Sequence, residues 1–126
     1  MMPRTYDAYN GKGNALWKRG DLLAALSRHE EAEESYADAV EAFDEALRRA
    51  PDYIDAYFNK ALTLLQWGES MRPFVQTEVT RSRWEEAQAH CRHVLALAPQ
   101  LEAAEELFAF IREQLDNLEA RSSSEG

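Results

Sequence analysis

YADAVEAFDEALRRAP, residues Tyr36–Pro51, is the stretch that decides the fold. Ala39 and Ala46 alternate with Tyr36, Phe43 and Leu47, and these positions share one face of a helix, because side chains three, four and seven apart stack on one side. An alanine on that face leaves a notch into which a neighbouring helix can settle. Arg48 and Arg49 suit the negative end of the helix dipole. Pro51 then stops the helix, since proline cannot continue the hydrogen-bond ladder and disfavours helical angles in the residue before it.

The same layout returns as WEEAQAHCRHVLALAP at Trp84–Pro99, where each counterpart lies 48 positions on (36 and 84, 39 and 87, 51 and 99). Upstream, Asp7, Ala8, Tyr9, Lys12, Leu16 and Gly20 recur at Asp55, Ala56, Tyr57, Lys60, Leu64 and Gly68 with the same offset, and Gly13 is answered by Ala61. The unit is therefore a helical hairpin present twice. A fixed period of this size implies stacked units, none of which buries its apolar face alone.

SRHEEA at Ser27–Ala32 and SRWEEA at Ser82–Ala87 read as capping boxes, a serine followed three residues later by glutamate. Their spacing of 55 (27 and 82) exceeds the repeat and predicts that the second helix of the first hairpin starts about two turns before its counterpart. The expected helices are 5–26, with Thr5 as cap, 28–50, 53–70, with Asp52 as cap, and 83–97. Gly20 is a possible break, at a cost of about 1 kcal/mol relative to alanine. Pro73 makes 69–81 the least regular part. After Pro99 a third copy begins, with Ala104 and Ala109 answering Ala56 and Ala61. A stripe of Leu101, Ala104, Phe108, Ile111, Leu115 and Leu118 predicts a lone capping helix over 100–119. Residues 1–119 form one helical domain on this reading, and 120–126, RSSSEG after Ala120, are expected to be a disordered tail.

With 126 residues, a net charge of −9 and a pI of about 4.8, the chain lacks the basic footprint that binds nucleic acid or an anionic membrane surface. No apolar run approaches the roughly 20 residues that span a bilayer. One cysteine, Cys91, excludes an internal disulfide and points to a reducing, cytoplasmic setting.

The pattern resembles the tetratricopeptide repeat. In the first unit its positions are Tyr9, Gly13, Leu16, Gly20, Tyr36, Ala39, Phe43, Ala46 and Pro51. In the second they are Tyr57, Ala61, Leu64, Gly68, Trp84, Ala87, Cys91, Val94 and Pro99. That family's usual unit is about 34 residues, so each unit here is elongated between its two matching halves. In the first unit the excess reads as longer helices; in the second it makes either longer helices or a long loop. The resemblance implies an all-α, right-handed solenoid of antiparallel helix pairs, here about two extended repeats and a capping helix. It also implies a non-catalytic activity, the binding of a protein or peptide in a concave groove, with no cofactor.

Carried onto this chain, the groove positions are Asn10, Asn14, Trp17 and Lys18 in the first unit, and Phe58, Asn59, Leu62, Leu65 and Gln66 in the second. Asparagine offers a donor and an acceptor to a peptide main chain, and Trp17 and Phe58 are residues of the kind that anchor interfaces. The alternative for Trp17, Leu62 and Leu65 is packing against the elongated neighbouring helices. A clamp for a terminal carboxylate, known in the family, lacks its charged donors, because the matching positions are Asn10, Ala103 and Leu107.

His90 and His93 are three apart, but Cys91 takes the inward position of Phe43 and no second ligand pair has metal spacing. Glu30, Glu31, Glu33 and Glu34 suit the start of a helix. Two further surfaces remain as candidates. Leu107 and Phe110, off the main stripe of the last helix, could pair two chains into a homo-oligomer. Residues 69–83, with Met71, Phe74, Val75 and Val79 beside Arg72, Arg81 and Arg83, could pack on the stack or make a second contact.

Overall fold

A computed structural model describes residues 4–125, and the side chains of 4–121. It holds five helices and, among the described residues, no strand: α1 (Thr5–Ala25), α2 (His29–Arg49), α3 (Ile54–Met71), α4 (Thr77–Leu97) and α5 (Glu102–Glu125), with a 3₁₀ turn at Arg72–Phe74. Each helix packs on the next, and α1 also meets α3. The chain is thus two helix pairs with α5 laid against the second.

The small residues lie where the helices close on each other. A Cβ on Gly13 would stand 2.5 Å from the Phe43 ring, and one on Gly20 2.9 Å from the Tyr36 ring. In the second pair a Cβ on Gly68 would meet the Trp84 indole nitrogen at 2.3 Å. Phe43, Tyr36 and Trp84 are fully buried, as are Ala39, Ala46, Ala61 and Ala87. Gly20 does not break α1: its missing side chain makes room for Tyr36. Where the first pair sets Phe43 against Gly13, the second has Cys91 and Ala61 at the corresponding places, both fully buried. A smaller ring side and a larger notch side conserve the packed volume, which cores tolerate best.

Helix starts differ from the sequence expectation. Ser27 does not cap α2. It has φ 63°, in the left-handed region, and ends α1 instead. Its N–H donates to the Ala24 carbonyl at 3.0 Å, and that of Arg28 to the Leu23 carbonyl at 2.9 Å, the two bonds of a Schellman ending. Ser82 lies inside α4, which begins at Thr77 because the 3₁₀ turn absorbs Pro73 and nothing after Gln76 interrupts the ladder. Consequently α2 and α4 have the same length and keep the 48-residue offset at both ends (29 and 77, 49 and 97). The repeated SR-x-EEA motif is local similarity that does not mark equivalent places. Neither Thr5 nor Asp52 is a cap: Arg4 and Tyr53 occupy the N-cap positions, without side-chain capping bonds.

The 69–83 segment folds onto the stack. Met71 is buried with Leu23, Ala32 and Tyr36, and Val75 packs against them. The Arg83 guanidinium donates to Glu33 at 2.9 Å and lies 4.0 Å over the Trp67 ring, whose indole N–H donates to the other Glu33 oxygen at 2.9 Å. Phe74 and Val79 stay exposed. Leu107 is not an outward residue. It is buried with Ile111 and Leu118 against the core of the second pair, because α5 turns that side towards α3 and α4. The helix continues to Glu125, past the expected end at 119, so residues 120–125 are helical where a disordered tail was expected; no strong helix breaker lies between Leu118 and Gly126. Gly126 and Met1–Pro3 lie outside the described residues.

Candidate functional site

The first helices of successive pairs, α1 and α3, and then α5 form one face. Between them opens a cavity of about 370 Å³. Its apolar wall is Trp17 from α1, Leu62 and Leu65 from α3 and Phe110 from α5; Gln66, Glu69 and Gln114 complete the lining. Leu65 is nearly buried, whereas Phe110 is 48% exposed. Four of the nine expected groove residues, Trp17, Leu62, Leu65 and Gln66, are therefore brought together.

The asparagines stand elsewhere on this face and brace it. Asn59 Nδ2 donates to Asn10 Oδ1 at 3.1 Å, Asn10 Nδ2 donates to the Tyr53 hydroxyl at 3.3 Å, and Tyr53 donates to Asp7 Oδ1 at 2.7 Å. This chain ties α3 to α1. Burial, followed by the bond to Asp7, pushes the Tyr53 hydroxyl up to about 12, so it stays a donor. Asn14 Oδ1 accepts from the Trp17 indole N–H at 3.1 Å and fixes the ring that forms the cavity wall. Asn14 Nδ2 and Asn59 Oδ1 have no hydrogen-bond partner among the described residues. Lys18 is exposed, its ammonium 5.9 Å from the centre of the Trp17 ring. Phe58 is not in the cavity; it packs against the core of the second pair.

At the end of this face nearest the hairpin turns, Tyr36 joins α1 to α3. Its hydroxyl donates to Asp21 and lies 2.9 Å from Ser70 Oγ. Burial raises the Tyr36 hydroxyl, and burial also raises the Asp21 carboxyl while the Tyr36 O–H pulls it back down.

Sequence reasoning passed over Glu69 and Gln114 and assigned Phe110 to a different surface. The repeat itself carries the signal, since Phe110 and Gln114 fall 48 positions after Leu62 and Gln66.

On the opposite side, Lys60 Nζ meets Asp44 at 2.8 Å and Glu86 at 3.4 Å, binding α2, α3 and α4 together. His90 Nε2 lies 3.3 Å from Glu86. His90 and His93 both face the Tyr57 ring, at 5.9 and 4.5 Å between ring centres. Among the described residues, no group of three or more His, Cys, Asp or Glu is placed to hold a metal ion. No helix there is long and apolar enough to cross a membrane.

Residues 42–72 match the tetratricopeptide repeat family. The matched stretch runs from the middle of α2 through the Pro51 turn to the end of α3, and holds Phe43, Ala46, Tyr57, Ala61, Leu64 and Gly68. Comparison with curated proteins and with solved structures found no match. Repeats of this kind generally mediate contacts between proteins. That match, over residues 42–72 and set in an all-helical stack of pairs, supports a tetratricopeptide-like repeat fold.

Proposed function

We propose that the face built by α1, α3 and α5 is a docking groove for a peptide or a helix of a partner protein, and that the protein is a non-catalytic interaction module. The observation that carries this reading is the cavity of about 370 Å³ with Trp17, Leu62, Leu65 and Phe110 on its wall. That volume lies within the range of roughly 300–1,000 Å³ found for binding pockets. A half-open apolar hole among polar residues suits one large side chain projecting from an otherwise solvated segment. The rest of the groove, Asn10, Asn14, Lys18 and Asn59, supplies polar edges. Asn14 Nδ2 and Asn59 Oδ1 remain available to a main chain, although each side chain's other polar atom already braces the helices.

Capture of partners by the intact chain, compared with Leu62→Asp and Phe110→Asp, tests the groove. Both side chains are partly exposed, so the variants should fold. Loss of the same partners in both variants supports the groove; full retention refutes it. Self-association is a second reading, supported by exposed Phe74 and Val79 in the 69–83 segment. The terminal-helix route is weaker, because Leu107 is buried. Light scattering over a concentration series decides it, a strict monomer excluding this reading.

A further inference from the structure

The charges around the cavity are unequal. Glu69 on its rim is exposed and makes no ion pair among the described residues. Of the arginines that follow it in sequence, Arg72 lies 5.8 Å over the Trp84 ring and Arg83 is paired with Glu33. A second carboxylate stands at the same level. Tyr36 binds both Asp21 of α1 and Ser70, the neighbour of Glu69 in α3, and so fixes the two helices in register there. Lys18 on α1 is drawn to the Trp17 ring that walls the cavity. At this end of the groove both helices thus carry a carboxylate, Glu69 on α3 and Asp21 on α1, and a cation is favoured beside Glu69, away from Lys18. The net charge of −9 adds a long-range bias for basic segments and against acidic ones.

We infer, resting on the groove reading above, that the segment recognised seats one large apolar side chain in the cavity and sets a lysine or arginine beside Glu69. The apolar contact supplies the anchor. The charge supplies selectivity, because an exposed pair contributes little affinity but a like-charge contact discriminates against the wrong partner.

The test is selection of a displayed library of random peptide segments on the intact chain, on Glu69→Arg and on Phe110→Asp, each with its melting temperature measured. The expected result is enrichment of segments with lysine or arginine near a large apolar residue. Glu69→Arg should invert that preference to aspartate or glutamate, and should weaken a segment selected on the native chain by about tenfold. Enrichment without charge bias, or a bias unchanged by Glu69→Arg, overturns the charge assignment while leaving the groove intact, provided Phe110→Asp abolishes selection. Enrichment that survives Phe110→Asp, or no enrichment at all, overturns both.

Discussion

Replacing Gly68 by alanine probes the closest approach in the fold. The new Cβ would lie 2.3 Å from Trp84 Nε1 and 2.8 Å from Cδ1. The indole cannot retreat cheaply: it is fully buried, and its N–H donates to the Leu65 carbonyl at 3.1 Å. Three effects compete. Alanine in place of glycine gains about 1 kcal/mol of helix propensity. Overpacking a rigid ring costs about 1–3 kcal/mol. Pulling the indole from its acceptor leaves a buried donor unpaired, a further cost of about 1–3 kcal/mol. The clash wins, with a net loss of about 3 kcal/mol and a fall in melting temperature of roughly 10 °C. Gly11→Ala is the control, because nothing lies within 4 Å of a Cβ there, so it should stabilise by about 1 kcal/mol. Urea unfolding of both variants, with unchanged slopes, measures the difference. If Gly68→Ala were as stabilising as Gly11→Ala, Trp84 would not be seated in the α3 notch and the packing scheme would fail.

Three other outcomes follow from single residues. Ser27→Gly should stabilise by about 1 kcal/mol, because φ 63° is costly for a residue with a Cβ and free for glycine; a loss of stability in urea would contradict the Schellman ending. Burial, then the charge of Lys60, holds His90 below its ordinary value, against the opposing pull of Glu86 and Asp44. The unfolded chain therefore binds the proton more readily, and stability should fall as pH drops from about 6.5 towards the lowered folded value. Unfolding at stepped pH should show His90→Gln flattening that slope, and an unchanged slope would place the titration elsewhere. Burial pushes the Cys91 thiol up to about 11, so a disulfide reagent at mildly alkaline pH should react slowly with the folded chain and quickly in denaturant. Fast reaction in both would mean that Cys91 is exposed.

The contrast between readable and unreadable features has a physical origin. Ala39, Gly20 and Gly68 are legible because a tight helix contact demands a small residue whatever surrounds it, and the duplicate register repeats each choice; Ala46 is answered by the larger Val94. Helix starts are not legible, since a capping motif is a local preference of about 1 kcal/mol. At Ser27 the ending of α1 overrode it, and at Ser82 the uninterrupted ladder from Thr77 did. The cavity was half legible: Trp17, Leu62, Leu65 and Gln66 came from one face of two helices. Phe110 was assigned elsewhere because α5 has no following partner from which to read its orientation. The side-chain chain from Asn59 through Asn10 to Tyr53 joins residues more than 40 positions apart, and only the packed structure reveals that these asparagines brace the groove.

Docking of partners on the face shared by α1, α3 and α5 is the proposal on which the function rests. A photo-crosslinking residue at Leu62, inside the cavity, compared with one at exposed Ala37 of α2, tests it most directly. Partner adducts are expected from position 62 and none from position 37. Adducts from 37 alone would place the binding surface on the second helices and contradict the proposal.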